Sequence, residues 1–273
     1  MASSPDTPPP DLFADWLEAL EARHLADLRV QEVTRALRAL SSAYVARRVQ
    51  GTLEGAGKRA AFALFYAPLH FLAAHATVRA LGAHAPPPSA ILDIGCGTGA
   101  AGAAWALAAG GTPRVSGLDR HPWAVDEARW TYRQLGLRGE ARRGPATRLP
   151  RVRPGTAIVA AYVLNELAAA DREYVLERLI DAAHHGVRLL VLEPIARGVA
   201  PWWPAAARRV QEAGGRADEW RFPVELPPPL RRFDTAAGLD HRELTVRSLY
   251  CPAVRGQGLA VLRVRPHREG GPS

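Results

Sequence analysis

The stretch Ile91-Leu92-Asp93-Ile94-Gly95-Cys96-Gly97-Thr98-Gly99 constrains this chain more than any other. An apolar run carrying an acidic residue passes into three alternating glycines, and an alanine-rich helical segment follows at once. Glycine reaches backbone conformations closed to other residues and lets a second group approach the main chain. A helix starting behind such a turn offers unpaired N–H groups and the positive end of its dipole. Strand, glycine turn and helix in that order form the ligand-binding corner of an open α/β sheet.

The spacing Gly95-x-Gly97-x-x-Ala100 also satisfies the relaxed dinucleotide fingerprint, so an NAD-dependent oxidoreductase is one reading. Asp93 weighs against it. The carboxylate stands two residues before the first glycine, where Coulomb repulsion disfavours a diphosphate. A ligand with a cationic amino group and no phosphate suits it better. S-adenosylmethionine is such a ligand, with an α-ammonium, a sulfonium and an adenosine. Asp119 ends the next apolar run, Val115-Ser116-Gly117-Leu118, and is followed by Arg120. A carboxylate there can accept both ribose hydroxyls, each charge-assisted bond contributing roughly 1.5–3 kcal/mol.

Leu92-Asp93-Ile94-Gly95-Cys96-Gly97-Thr98-Gly99 resembles the first motif of the class I S-adenosylmethionine-dependent methyltransferases, and Leu118-Asp119 their second-strand acidic motif. The resemblance implies S-adenosylmethionine as cofactor, held by Asp93, Gly95, Cys96, Gly97, Gly99, Asp119 and Arg120. The chain departs from many relatives after the third strand. Arg143-Gly144-Pro145-Ala146-Thr147-Arg148 has no carboxylate to receive the adenine amino group, which leaves that task to the backbone.

From residue 86 onward the sequence alternates strand and helix, as a doubly wound α/β sheet requires. Strands are expected at 90–94, 114–118, 139–143, 157–161 and 188–192. Pro122 opens one intervening helix, Asp171 caps another, and Gly136 and Gly186 end them. Runs 243–250 and 259–264 form a closing strand pair. The expectation is a seven-stranded Rossmann-like methyltransferase sheet over 86–273, with an N-terminal helical lid over 11–85 behind a disordered, proline-rich lead over 1–10. In the lid, Asp11 caps a first helix, a second amphipathic stretch spans 25–49, and an apolar helix runs from Lys58 to about Ala83 with an interruption at Pro68. The methyltransferase resemblance implies a helical lid, in which Tyr66 covers the cofactor; the alternative is an aromatic stripe packed in an ordinary core. Gly55-Ala56-Gly57-Lys58 is no phosphate loop, because Arg59 stands where Ser or Thr is required and no strand precedes it.

Ligands of an open α/β sheet sit beyond the carboxyl ends of the strands, at the switch point beside strand one. Strand four neighbours strand one there, so Tyr162-Val163-Leu164-Asn165-Glu166-Leu167 faces the transferring methyl. Methyl transfer is an in-line displacement whose rate depends on alignment of nucleophile and sulfonium. Glu166 is the candidate base, and Asn165 and Tyr162 the candidates to orient the acceptor. Trp202-Trp203, set between prolines, reads as an aromatic wall facing substrate or core, and Trp123 either stacks near adenine or packs on the sheet.

Ala160–Leu167 and Leu190–Pro194 are also similar to the small-ribosomal-subunit assembly methyltransferase-like family. That likeness implies an RNA or ribosomal partner. Some of its members carry a cysteine set for an iron–sulfur cluster; this chain has only Cys96 and Cys251, so no cluster is expected and no disulfide framework either. The net charge of +8 is almost all arginine, since Lys58 is the only lysine, and the arginines are scattered. It leaves open an RNA- or ribosome-binding assembly factor with a degenerate cofactor pocket. No secretory or mitochondrial leader and no apolar run of membrane length is read, so a cytoplasmic location without membrane contact is expected. The acceptor and the oligomeric state stay open.

Overall fold

The computed structural model describes residues 10–45, 53–195 and 200–253. Its centre is a seven-stranded sheet of order β3-β2-β1-β4-β5-β7-β6. The strands are β1 (Ala90–Ile94), β2 (Arg114–Asp119), β3 (Gly139–Arg143), β4 (Ala157–Ala161), β5 (Arg188–Glu193), β6 (Arg216–Pro223) and β7 (Glu243–Cys251). The first five run parallel, and β7 lies antiparallel between β5 and β6. β1 is paired on both sides, with β2 and with β4, which makes its carboxyl end the switch point of the winding.

Residues alternate faces along each strand, so each buried strand feeds two cores. Ile91, Val159, Leu190 and Val246 point to one core, and Leu92, Ile158, Val191 and Leu249 to the other. The second core is covered by α7 (Ala169–His184) and α8 (Trp203–Glu212). The first is covered by α5 (Ala100–Ala108), α6 (Pro122–Gln134), α9 (Pro228–Ala237) and the N-terminal helices α1 (Pro10–His24), α2 (Val30–Val45), α3 (Ala56–Ala61) and α4 (Ala67–Ala80).

The N-terminal helices are clamped to the sheet domain. Phe13 and Trp16 of α1 meet Phe71 of α4 at ring distances of 5.1 and 5.5 Å. Arg23 and His24, at the end of α1, reach the buried carboxylate of Glu127 on α6 at 3.1 and 2.8 Å. The Ala83 carbonyl accepts from both the Trp105 indole (3.2 Å) and the Arg188 guanidinium (2.8 Å).

Several expectations need correction. The closing strand pair is β6 with β7: residues 216–223 pair with 243–250, and 259–264 lie outside the described residues. The Arg216–Pro223 segment carries no apolar run because it is the sheet's edge, half exposed along its length. Asp11 and Asp171 are not caps; α1 starts at Pro10 and α7 at Ala169, which puts both carboxylates in the first turn, where the dipole still favours them. The second helix is shorter than 25–49, ending at Val45, and of the lead only Pro10 is described.

The helix expected to break at Pro68 instead continues from Ala56 to Ala80 through a π turn at Phe62–Tyr66. Proline lacks an N–H, so Pro68 cannot close the ordinary bond to the carbonyl of Leu64, and the surplus is taken up in one wide turn just ahead of it. This 25-residue run, with mean hydropathy 1.4 over its most apolar window, is long and apolar enough to cross a membrane by length and composition, contrary to the sequence reading. Interspersed His and Arg obscure it in the sequence; in the fold 72% of that window is buried among the other elements.

Candidate active site

β1 delivers Asp93 to the floor of the site, 1% exposed. Its Oδ2 accepts the Gly102 N–H of α5 at 2.8 Å. Glycine is required there, since a Cβ at 102 would lie 2.8 Å from that same oxygen. Asp93 Oδ1 is buried without a partner. Burial lifts the carboxyl to about 7, with the Gly102 N–H opposing and Asp119 adding to the rise. The turn then passes through Gly95 at φ +62°, where a Cβ would stand 2.2 Å from Val163 Cγ2. The glycine turn and the tip of β4 therefore touch only because that side chain is missing.

Asp119, at the end of β2, braces the same turn. Its Oδ2 accepts the Gly97 N–H at 2.9 Å and its Oδ1 the His121 N–H at 2.8 Å, and each oxygen keeps a second lone pair. Cys96 is buried between the two acids, and burial followed by their charges raises its thiol well above the ordinary range. Such a thiol is protonated and inert.

β4 ends at Tyr162, which holds a left-handed backbone (φ 59°), rare for a residue with a side chain. Its ring stacks on His70 of α4 at 4.0 Å and 20°. Desolvation lowers His70 to about 3, so the imidazole is neutral. Asn165 donates its backbone N–H to Glu193 Oε1 at 3.1 Å and accepts the Trp202 indole N–H on Oδ1 at 2.9 Å, which leaves its amide N–H groups for the site. Glu166 faces Arg120 at 3.9 Å across the opening. Desolvation raises Glu166 to about 7, opposed by Arg120 and reinforced by Asp119.

These groups border one cavity of about 730 Å³. It touches Asp93, Gly95, Cys96, Asp119 and Arg120 on one side, Tyr162, Asn165 and Glu166 on the other, and Phe62, Phe65, Tyr66 and His70 above. Gly97 and Gly99 do not border it; they shape the turn from behind, both at positive φ. Gly144, Pro145, Ala146 and Thr147 line the wall after β3, where no carboxylate stands. Trp202 and Trp203 stay out of the cavity. Trp203 is a core residue under the Arg247 guanidinium, and Trp202 positions Asn165. Trp123 is also outside it, packed between His121 and the Arg59 guanidinium.

Three cavity residues escaped sequence reasoning. Glu193 closes β5 with 0% exposure, and burial pushes it to about 8 against the Asn165 N–H and Arg247. A signal for it existed, since β1, β2 and β5 all carry an acid at their carboxyl ends. His70 reads in sequence as one more member of an apolar stripe. His241 follows α9 and pairs its Nδ1 with Oδ1 of the buried Asp234 at 2.5 Å, leaving Nε2 for the cavity it borders. Nothing in the local sequence marks it.

The glycine turn, an unpartnered buried carboxylate at its base and a second acid beyond it form a corner of an α/β sheet suited to a nucleoside that carries positive charge. The residues fit S-adenosylmethionine: Asp93 Oδ1 is an orphan suited to an ammonium, and Asp119 has lone pairs for ribose hydroxyls. Residues 91–186 match the family model described as a methyltransferase domain. That match identifies the segment holding the glycine turn and the β4 tip as a methyltransferase domain, and the seven-stranded sheet around it is the Rossmann-like methyltransferase fold. The dinucleotide reading is thereby set aside.

Solved structures similar to the chain include a SAM-dependent methyltransferase from Aquifex aeolicus, 17% identical over 64% of this chain and 88% of that one at a TM-score of 0.42. A candidate O-methyltransferase from Nostoc punctiforme is 17% identical over 83% of this chain and 72% of that one, with a TM-score of 0.49. The magnesium protoporphyrin IX methyltransferase of Synechocystis, solved with bound SAM, is 14% identical over 82% and 99%, with a TM-score of 0.46. At such similarity they say nothing of this chain's acceptor. No curated protein sequence matches the chain.

Proposed function

We propose that this chain transfers the methyl group of S-adenosylmethionine to a small-molecule acceptor enclosed beneath its N-terminal helices. The observation that carries the reading is one roofed cavity that joins Asp93 and Asp119 to the strand-four tip. On this reading residues 11–85 serve as the lid of a cofactor-binding domain over 86–273. Two buried free thiols, Cys96 and Cys251, suit a cytoplasmic setting.

When bound, the cofactor supplies an electrophilic methyl group on a sulfonium. Asp93 holds the ammonium and Asp119, with Arg120 beside it, the ribose. Backbone groups of Gly144–Thr147 receive adenine in place of the missing carboxylate. Asn165 offers its amide N–H groups to the acceptor, held in place by Trp202. Tyr162, stacked on His70, closes the wall beside it. Glu166 takes up the acceptor's proton, a role favoured by a pKa near the working pH. Phe62, Phe65 and Tyr66 exclude water from above.

The reading is tested by thermal-shift assays with S-adenosylmethionine, S-adenosylhomocysteine and NAD. Ligand at a hundredfold excess over Kd adds about 2.7 kcal/mol, roughly a 5 °C rise for a chain of this size. Asp93→Asn keeps an acceptor for Gly102 and should lose most of the S-adenosylmethionine shift. A shift with NAD alone overturns the proposal. The net charge of +8 favours a second reading, an RNA- or ribosome-binding assembly factor without turnover. That reading requires RNA affinity falling steeply with salt and no methyl transfer.

A further inference from the structure

Asp93 and Asp119 are accounted for by the cofactor, but two carboxylates on the opposite wall are not. Glu193 Oε1 accepts the Asn165 N–H, while Oε2 is buried, unpartnered and part of a residue bordering the cavity. A buried acceptor left empty is costly, and a donor carried in by a ligand removes that cost. Arg247 opposes Glu193 in register on β7 but does not border the cavity, so it tempers the charge from below without occupying the free oxygen. Glu166 borders the same space.

Above these acids stand the rings of Phe62 and Tyr66, with His70 neutral among them and stacked on Tyr162 of the wall. Ring faces attract cations, and a neutral imidazole does not repel them. Among the described residues the cavity is lined by six carboxylates (Glu54, Asp93, Asp119, Glu166, Asp171 and Glu193) and one arginine, Arg120. A chain of net charge +8 thus lines this chamber with acids, some held protonated by burial until a cation enters, and these favour an entering cation over a phosphate- or carboxylate-bearing acceptor.

We propose that Glu193, with Glu166, forms an ammonium-binding subsite, and that the methyl acceptor is a small primary or secondary amine. The inference rests on the methyltransferase reading above. A bound ammonium has no lone pair; one N–H proton passes to the Glu166 carboxylate, which becomes a carboxylic acid. The freed nitrogen pair forms the new C–N bond as the donor's C–S bond breaks, and that bond's electrons leave on a neutral thioether sulfur. The nitrogen ends as a methylated ammonium, so charge and protons balance.

The test is calorimetric titration of the full chain, saturated with S-adenosylhomocysteine, with 2-phenylethylamine and with its neutral isostere 2-phenylethanol. The amine should bind at least about tenfold tighter than the alcohol, as a charge-assisted bond requires. Glu193→Gln should weaken the amine roughly tenfold to a hundredfold while S-adenosylhomocysteine binding persists, which also certifies the fold. If that variant does not fold, Glu166→Gln is read by the same criterion. Equal binding of amine and alcohol, or amine binding untouched by the substitution, overturns the inference. Wild-type protein that takes no S-adenosylhomocysteine overturns the methyltransferase reading as well, which keeps the two failures distinct.

Discussion

Glu193→Gln should flatten the pH dependence of stability in the ligand-free protein. Glu193 is fully buried, and desolvation raises its carboxyl from 4.5 to about 8. Between those values the folded chain holds a proton there that the unfolded chain has released. The stabilisation is therefore complete below about pH 4.5 and is lost as the pH climbs through about 8. At about 1.4 kcal/mol per unit, wild-type protein should lose about 3–4 kcal/mol relative to the variant between about pH 5 and pH 8. At roughly 2 °C per kcal/mol for a chain of this length, the Tm difference should change by roughly 7 °C. Removing Glu193 also strands Arg247, which is 8% exposed with Nε and Nη2 unpartnered; this adds an offset that does not vary over the window. The observable is thus the change in the Tm difference with pH, followed by calorimetry at several pH values. A constant difference across the window would refute the claim that this carboxyl is buried without adequate compensation.

Gly95→Ala combines a left-handed backbone with a Cβ 2.2 Å from Val163, and should cost about 2–5 kcal/mol in urea unfolding; a loss below about 1 kcal/mol would show that the turn and the β4 tip separate freely. The His70 ring should stay neutral from pH 8 down to about pH 4, because desolvation lowers it to about 3. Imidazole nitrogen NMR shifts measure this directly, and a midpoint near 6.5 would mean that water reaches the ring.

The inner parallel strands are legible in sequence because they are short apolar runs, and β1 and β4 match the expected bounds; β3, Gly139-Glu140-Ala141-Arg142-Arg143, is polar and is placed by its position between the turn at Gly136 and Gly144-Pro145. β6 is not legible: Arg216–Pro223 is polar, and only its register with β7 makes it a strand. The acids of the site can be read wherever they end an apolar run, as Asp93 and Asp119 do. Glu193 gives the same signal but sits ahead of Pro194 and resembles a strand terminator. His70 and Tyr162 are 92 positions apart in sequence and meet only because α4 crosses the sheet beside β4's tip. His241 enters through Asp234, a pairing set by how α9 docks and by nothing local.

The π turn at Phe62–Tyr66 has a consequence for how this pocket can change. A surplus residue in a helix rotates everything beyond it by about 100° relative to everything before it. The aim of His70 toward Tyr162 is set by that offset, while the α3 end of the same helix keeps its own facing. Losing one residue from the turn would swing His70 and its neighbours off the chamber without altering a single strand. The ceiling can therefore be re-indexed independently of the floor: a change in chain length by one residue would alter which side chains roof the cavity while the glycine turn stays as it is.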